Sequence, residues 1–135
     1  MNLAYYVVIF DHATDVVFDA LGIGEAYTES TGNSVFVVES HILYERELRS
    51  GGRVRVRSHV LGADAKRLHL AHEMLRADGA ERAAMQEVLA IHVALAARRA
   101  ASFPPERQVA IGECVAAHAQ LPRPAGLGRR IALHG

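Results

Sequence analysis

Carboxylates are the side chains in this sequence best suited to chemistry, because an ionised Asp or Glu can take a proton, activate a water or attack a carbonyl. Four stand out by position: Asp11, Asp15, Glu39 and Glu73. Asp11 and Asp15 are four residues apart, one turn apart on one row of a helix. Such a pair is more often a solvated stripe than a catalytic couple. Glu39 interrupts the apolar run VFVVESHIL, where a lone acid belongs either to an exposed face or to a site. Asn2 stands just before the first apolar stretch, the place of a helix cap that accepts a backbone N–H. The eight histidines invite a metal reading. His69 and His72, three apart in an alternating run, point to opposite faces of a strand. Neither HExxH nor a cysteine-rich cluster is present, so no metal site and no cofactor is expected.

These residues need elements to position them. Ala4 to Leu21 predicts a helix laid on a core. Tyr6, Phe10, Ala13, Val17 and Leu21 recur at helical spacing, with Asp11, Asp15 and Asp19 as a narrow polar stripe opposite. So apolar a stretch does not suit a free surface helix. Gly22 and Gly24 stop it. Residues 25 to 33 read as a polar loop. Strands are expected over Ser34–Leu48, Arg53–Val60, Arg67–Arg76 and Arg82–Leu95, with turns at Ser50-Gly51-Gly52, at 62–66 and at Asp78-Gly79. The last of these strands is alanine-rich, and propensity alone would make it a helix. Met85, Glu87, Leu89, Ile91, Val93 and Leu95 fall at a period of two, which favours a strand. Pro104 and Pro105 open a helix running from about Pro105 to His118. The order of helix, four-strand meander and helix predicts an α+β domain over residues 1–120. Its antiparallel sheet wraps around the first helix, and 121–135 form an irregular tail.

Composition narrows the partners. The chain has 135 residues, enough for one domain with a real core. Lys plus Arg and Asp plus Glu both count 15, and a net charge of zero argues against nucleic-acid or membrane-surface partners. One cysteine, Cys114, forms no internal disulfide and suits a reducing compartment. The apolar start is cut short by Asp11, so neither a signal peptide nor a span is expected and the location is read as cytoplasmic.

Particular segments carry a family resemblance. N-L-A-Y-Y-V-V-I-F-D-H-A-T-D, residues 2–15, resembles the start of the central helix in hot-dog-fold acyl-CoA thioesterases of the hydroxybenzoyl-CoA type. Those proteins carry Asp-x-x-Gly-His-x-Asn and then a helix with Tyr-(x)3-Phe-(acid)-x-Ala. Asn2, Tyr6, Phe10, Asp11 and Ala13 match. Y-x-R-E-x-R-S-G-G over Tyr44–Gly52 resembles the family's strand-to-turn segment. GADAKRLHLAHEML at 62–75 and FPPE at 103–106 are similar to the thioesterases found with, and sometimes fused to, carnitine dehydrogenases, which hydrolyse betainyl-CoA. The family's Asp-x-x-Gly-His segment would precede Met1. Its first strand and its aspartate are therefore expected upstream of the recorded start, or else the protein is a genuinely shortened one.

The resemblance implies a hot-dog fold and hydrolysis of a CoA thioester. That chemistry needs a carboxylate and donors for the developing oxyanion. The amides around Leu3, Ala4 and Tyr5 at the helix start, with Asn2, are the implied donors, and Asp11 and Glu39 the internal candidates for the acid. Lys66 and Arg67 are candidates for the coenzyme A phosphates, whereas Arg53, Arg55 and Arg57 read as a charged outer sheet face. Tyr5, Tyr6, Phe10 and Tyr44 are candidates to face a trimethylammonium group, with half of them at most expected at the ligand. Exposed sheet edges predict a homodimer or homotetramer with shared sites. The rival reading is a non-catalytic subunit that binds acyl groups or acts as a scaffold. A dehydratase of the same fold is the third, and it lacks a recognisable motif here.

Overall fold

A computed structural model describes residues 2–48, 52–79 and 81–133. Helix α1 spans Leu3–Ala20, and Asn2 caps it through a 2.9 Å bond from the Ala4 amide to its side-chain oxygen. Its buried face is Tyr6, Phe10, Ala13, Thr14 and Phe18. The opposite side leaves Leu3, Tyr5, Val8 and Val16 exposed, so the apolar excess of this helix is not wholly covered within one chain. Residues Glu25–Thr31 form a second helix, α2, where a loop was expected. Tyr27, its one buried residue, anchors it, and the hydroxyls of Ser30 and Thr31 bond back to the Tyr27 carbonyl. Gly32 ends it at φ 74°, a conformation that glycine takes without strain.

The strands are β1 (Asn33–Tyr44), β2 (Val54–Ala63), β3 (Arg67–Arg76), β4 (Arg82–Ala94) and the short β5 (Arg99–Ala100); helix α3 spans Pro105–His118. Tyr44 is the last strand residue of the first run, because the amides of Glu45 and Arg46 both turn to the Ala83 carbonyl. Of the turn expected at 50–52, Ser50 and Gly51 lie outside the described residues. The sheet is antiparallel with the order β1-β4-β3-β2, and β5 pairs with β4. The expected four-strand meander is therefore corrected. Only β2 to β4 meander, and β1 pairs along β4, matching Phe36 with Ile91 and Tyr44 with Ala84.

Alternation decides which side of each strand meets the helices. Leu68, Leu70, His72 and Met74 of β3 are buried, and Leu68 and Leu70 share a core with Phe18 of α1 and Ile111 of α3. On β4 the inner row is Ala84, Gln86, Val88, Ala90 and His92, all buried. The larger apolar row through Leu89, Ile91 and Val93 faces outward and is only half-buried. Within the inner row the small Ala84 packs in one cluster with Tyr6 and Phe10 of α1. Met85 on the outer row is buried, with Gly126 of the tail packed against its terminal methyl.

Candidate functional site

The start of α1 forms one corner of the molecule. Asn2 satisfies two of the three amides expected there: its side-chain oxygen takes the Ala4 N–H at 2.9 Å and its carbonyl the Tyr5 N–H at 3.0 Å. The Leu3 amide, first in the helix, has no intrahelical acceptor. It and the Asn2 side-chain amide are the donors this corner offers. Tyr5 is 61% and Tyr44 45% exposed, whereas Tyr6 and Phe10 are core residues. Tyr6 meets Tyr44 edge to face at 5.1 Å between ring centres, and its hydroxyl accepts the Leu48 amide. Phe10 stacks on His72. The exposed rings near the start of α1 are thus Tyr5, on the helix itself, and Tyr44, which packs against Tyr6.

The other sequence candidates lie elsewhere. Asp11 and Asp15 are exposed on α1. Asp11 is nine residues beyond Asn2, about 13 Å along the axis. Glu39 pairs in register with Leu89 on the outer face, the side of the sheet away from α1. Glu73 is engaged by Arg57 at 3.0 Å and Arg82 at 3.1 Å. Arg67 is bound to Asp64 at 2.6 Å, and Lys66 is exposed next to it. The Arg67 side chain and the Lys66 amide together hold the Asp64 carboxyl down to about 2. Asn2, Asp11 and Glu39 are therefore not brought together within one chain, and neither are Tyr44 and Arg67.

Sequence reading weighed His72 only as a metal ligand and did not single out His92. His72 is fully buried, with Thr14 Oγ1 at 2.9 Å from Nε2 and Ser58 Oγ at 2.7 Å from Nδ1. Burial pushes its pKa down to about 4. His92 donates from Nδ1 to the Ala101 carbonyl at 2.8 Å, so Nε2 accepts from the Tyr27 hydroxyl at 2.7 Å. For His72 the signal was available, since the other members of its row, Leu68, Leu70 and Met74, are apolar; the His92 row carries Gln86 as well. At the edge of the sheet His118 Nδ1 accepts the Val60 amide, and the two rings of His59 and His118 meet at 5.3 Å. Burial raises the Cys114 thiol above its ordinary value, which argues against a reactive thiolate. Among the described residues no group of three or more His, Cys, Asp or Glu is placed to hold a metal, and no helix is long and apolar enough to cross a membrane.

Residues 1–123 match the Thioesterase-like superfamily. The chain belongs to that superfamily. It is 35% identical to a betainyl-CoA thioesterase of Pseudomonas aeruginosa over 130 residues, covering 96% of this chain and 82% of that one. It is also 35% identical over 126 residues to an Agrobacterium fabrum L-carnitine dehydrogenase/betainyl-CoA thioesterase, covering 93% of this chain and 26% of that longer protein. Among solved structures, a Staphylococcus aureus hypothetical protein in complex with CoA superposes with a TM-score of 0.91 at 27% identity, covering 99% of this chain and 84% of the other. A Pseudomonas putida protein described as a candidate thioesterase superposes at 0.84 with 30% identity, covering 100% and 86%. This superfamily member has the hot-dog fold: an antiparallel sheet with α1 packed on one face.

Proposed function

We propose that the chain is an acyl-CoA thioesterase whose acyl group is small and cationic, with betainyl-CoA the first substrate to test. The observation that carries this reading is the 35% identity with the Pseudomonas aeruginosa enzyme over 96% of this chain. The α1 corner supports it independently. The Leu3 amide and the Asn2 side-chain amide are positioned to receive the oxygen of a thioester carbonyl, and they sit at the positive end of the helix dipole. That polarises the carbonyl and stabilises the tetrahedral oxyanion. The rings of Tyr5 and Tyr44 offer faces for a trimethylammonium group beside that carbon. Water or a carboxylate oxygen adds to the carbonyl, the C–S bond breaks, and the coenzyme A thiolate leaves.

The attacking group is the unassigned part of the site. Asp11 and Glu39 stand too far from the Asn2 corner to serve it within one chain. A chain extended by the family's Asp-x-x-Gly-His segment would set an aspartate six residues before Asn2 in sequence. We further propose that the working unit is a homodimer or homotetramer with sites shared between copies, and that Lys66 and Arg67 meet coenzyme A phosphates. The free thiol of Cys114 supports a cytoplasmic location. Release of coenzyme A thiol from betainyl-CoA, against other acyl-CoAs, tests the reading.

A further inference from the structure

We propose that His59 of β2 and His118 of α3 form a proton-operated latch at the β2 edge, closed when both rings are neutral and opened when they are protonated. The latch sits where the chain passes from one face of the sheet to the other. Helix α3 lies on the inner face, since Ile111 shares a core with Phe18, Leu68 and Leu70. The tail lies on the outer face, since Gly128 donates its amide to Glu87 at 2.7 Å and Gly126 packs against Met85 and Leu43. His118, the last residue of α3, marks the crossing. Beyond it a tight turn, with the Leu121 amide bonded to the His118 carbonyl at 3.0 Å, sends the chain round the edge. His59 and Glu87 both pair in register with Ala71, an outer-row residue that is fully buried.

The geometry of the latch fixes its protonation state. His118 Nδ1 accepts the Val60 amide at 2.8 Å, so it carries a lone pair, and the ring proton is on Nε2, 3.8 Å from Cys114 Sγ. That bond satisfies an amide on the edge strand β2, where pairing groups otherwise stand open. A proton on Nδ1 sets one N–H against another, and the bond is lost. A protonated His118 has the last carbonyls of α3 to bond instead, so it leaves Val60 without becoming a charge that lacks a partner. His59 is buried, its ring centre is 5.3 Å from that of His118, and it donates to the His118 carbonyl.

The titratable and charged groups facing the pair are Cys114 on α3, Arg123 on the tail and Glu73 on β3. Burial pushes the Cys114 thiol up, so it stays neutral. Burial, and then the charges of His118 and Arg123, push His59 below its ordinary 6.5, against the pull of the His118 carbonyl and Glu73. Above 6.5 the His59 ring is neutral in folded and unfolded chains alike. Below it the unfolded chain takes the proton first, and the closed latch loses stability as pH falls. The far anchor of the tail keeps its charge over the same range. Burial alone would raise the Glu87 carboxyl, but the Gly128 amide and His69, at 2.5 Å, hold it below its ordinary value. Opening is therefore confined to the last turn of α3 and residues 119–124. It bares the Val60 edge amide while Gly128 stays bound.

Amide hydrogen exchange and imidazole ¹⁵N shifts of the ¹⁵N-labelled full chain, followed from about pH 8 to about pH 5.5, test the latch. The His118 ring is expected as the Nε2–H tautomer at the upper end. Protection factors at Val60, Ala119 and Leu121 should fall by about tenfold or more as the pH is lowered. In His72→Gln, which removes the acid sensitivity of the other buried ring, they should fall as much, with no matching fall at Ala71 or Gly128. In His118→Gln the side-chain oxygen accepts the Val60 amide without taking a proton, and the fall should vanish. Three results overturn the proposal: protection at Val60 that is unchanged down to about pH 5.5, a fall in His72→Gln shared equally by Ala71 and Gly128, or the same fall in His118→Gln. Should either variant fail to fold, the wild type decides alone. The Val60 amide shift then has to titrate with the midpoint of the His118 ring, and separate midpoints rule the latch out.

Discussion

Thr14 Oγ1 on α1 stands 2.9 Å from His72 Nε2 on β3, and Ser58 Oγ of β2 holds the other ring nitrogen at 2.7 Å. One buried imidazole thus ties the helix that carries the Asn2 corner to two strands of the sheet. An apolar residue there would fill the space but not fix the helix's position along the sheet.

This tie sets a pH dependence. The ordinary value of 6.5 is pushed down to about 4 by burial. Above 6.5 the ring is neutral in both folded and unfolded chains and leaves stability unchanged. Between 6.5 and 4 the unfolded chain takes up the proton and the folded one does not, so stability falls as pH falls. The total loss is on the order of 3 kcal/mol. Urea midpoints measured from pH 7.5 to pH 4 should show that decline, and His72→Gln should lack this part of it. An unchanged slope in His72→Gln would contradict the buried-neutral assignment.

At Asn2 two roles can be separated. Asp is as good a cap as Asn, so Asn2→Asp should keep the bond to the Ala4 amide and the thermal midpoint. It removes the side-chain N–H donor, and loss of one oxyanion donor lowers kcat by about a hundredfold or more. Asn2→Ala loses both, with about 1 kcal/mol of stability as well. Equal kcat in wild type and Asn2→Asp would leave Asn2 as a cap alone.

Asp11→Asn and Glu39→Gln should each stay within about threefold of wild-type kcat/KM, less than 1 kcal/mol of barrier. Both side chains are exposed, one about 13 Å along α1 from the donors and the other on the opposite face of the sheet. A loss of a hundredfold or more in either variant would bring that carboxylate into the reaction, across a subunit boundary.

The unpaired edge of β1 carries three exposed apolar residues, Phe36, Val37 and Val38, and α1 exposes Leu3, Val8 and Val16. Such surface is unusual on a monomer. Light scattering at micromolar concentration should therefore give at least twice the 14.7 kDa chain mass. A value of one chain mass would contradict the shared-site proposal.

Local pattern made much of this legible. The α1 spacing, the alternation in β2 and β3 and the proline start of α3 each place an element within a few residues of where it lies. Partner choice was not legible. A strand's alternation says which face it buries but not which strand it joins, so β1 was given to its sequence neighbour although it pairs with β4. Helix α2 was hidden because EAYTEST carries a single buried anchor, Tyr27. At Asn2 the cap was legible, and the 2.9 Å bond from the Ala4 amide to its side chain realises it. The placement of Asp11 and Glu39 relative to that corner was not legible, because type and local pattern do not show on which side of a sheet, or how far along a helix, a carboxylate ends up.

The most direct test of the account is thiol release by the purified chain from betainyl-CoA, acetyl-CoA and an aromatic acyl-CoA, each with wild type and Asn2→Asp. The account predicts release fastest from betainyl-CoA and at least about a hundredfold slower in the variant. A form extended by an Asp-x-x-Gly-His segment is predicted to be faster by about a hundred- to ten-thousand-fold. No thiol release from any of the three by a folded sample, or release that is indifferent to Asn2→Asp, would contradict it.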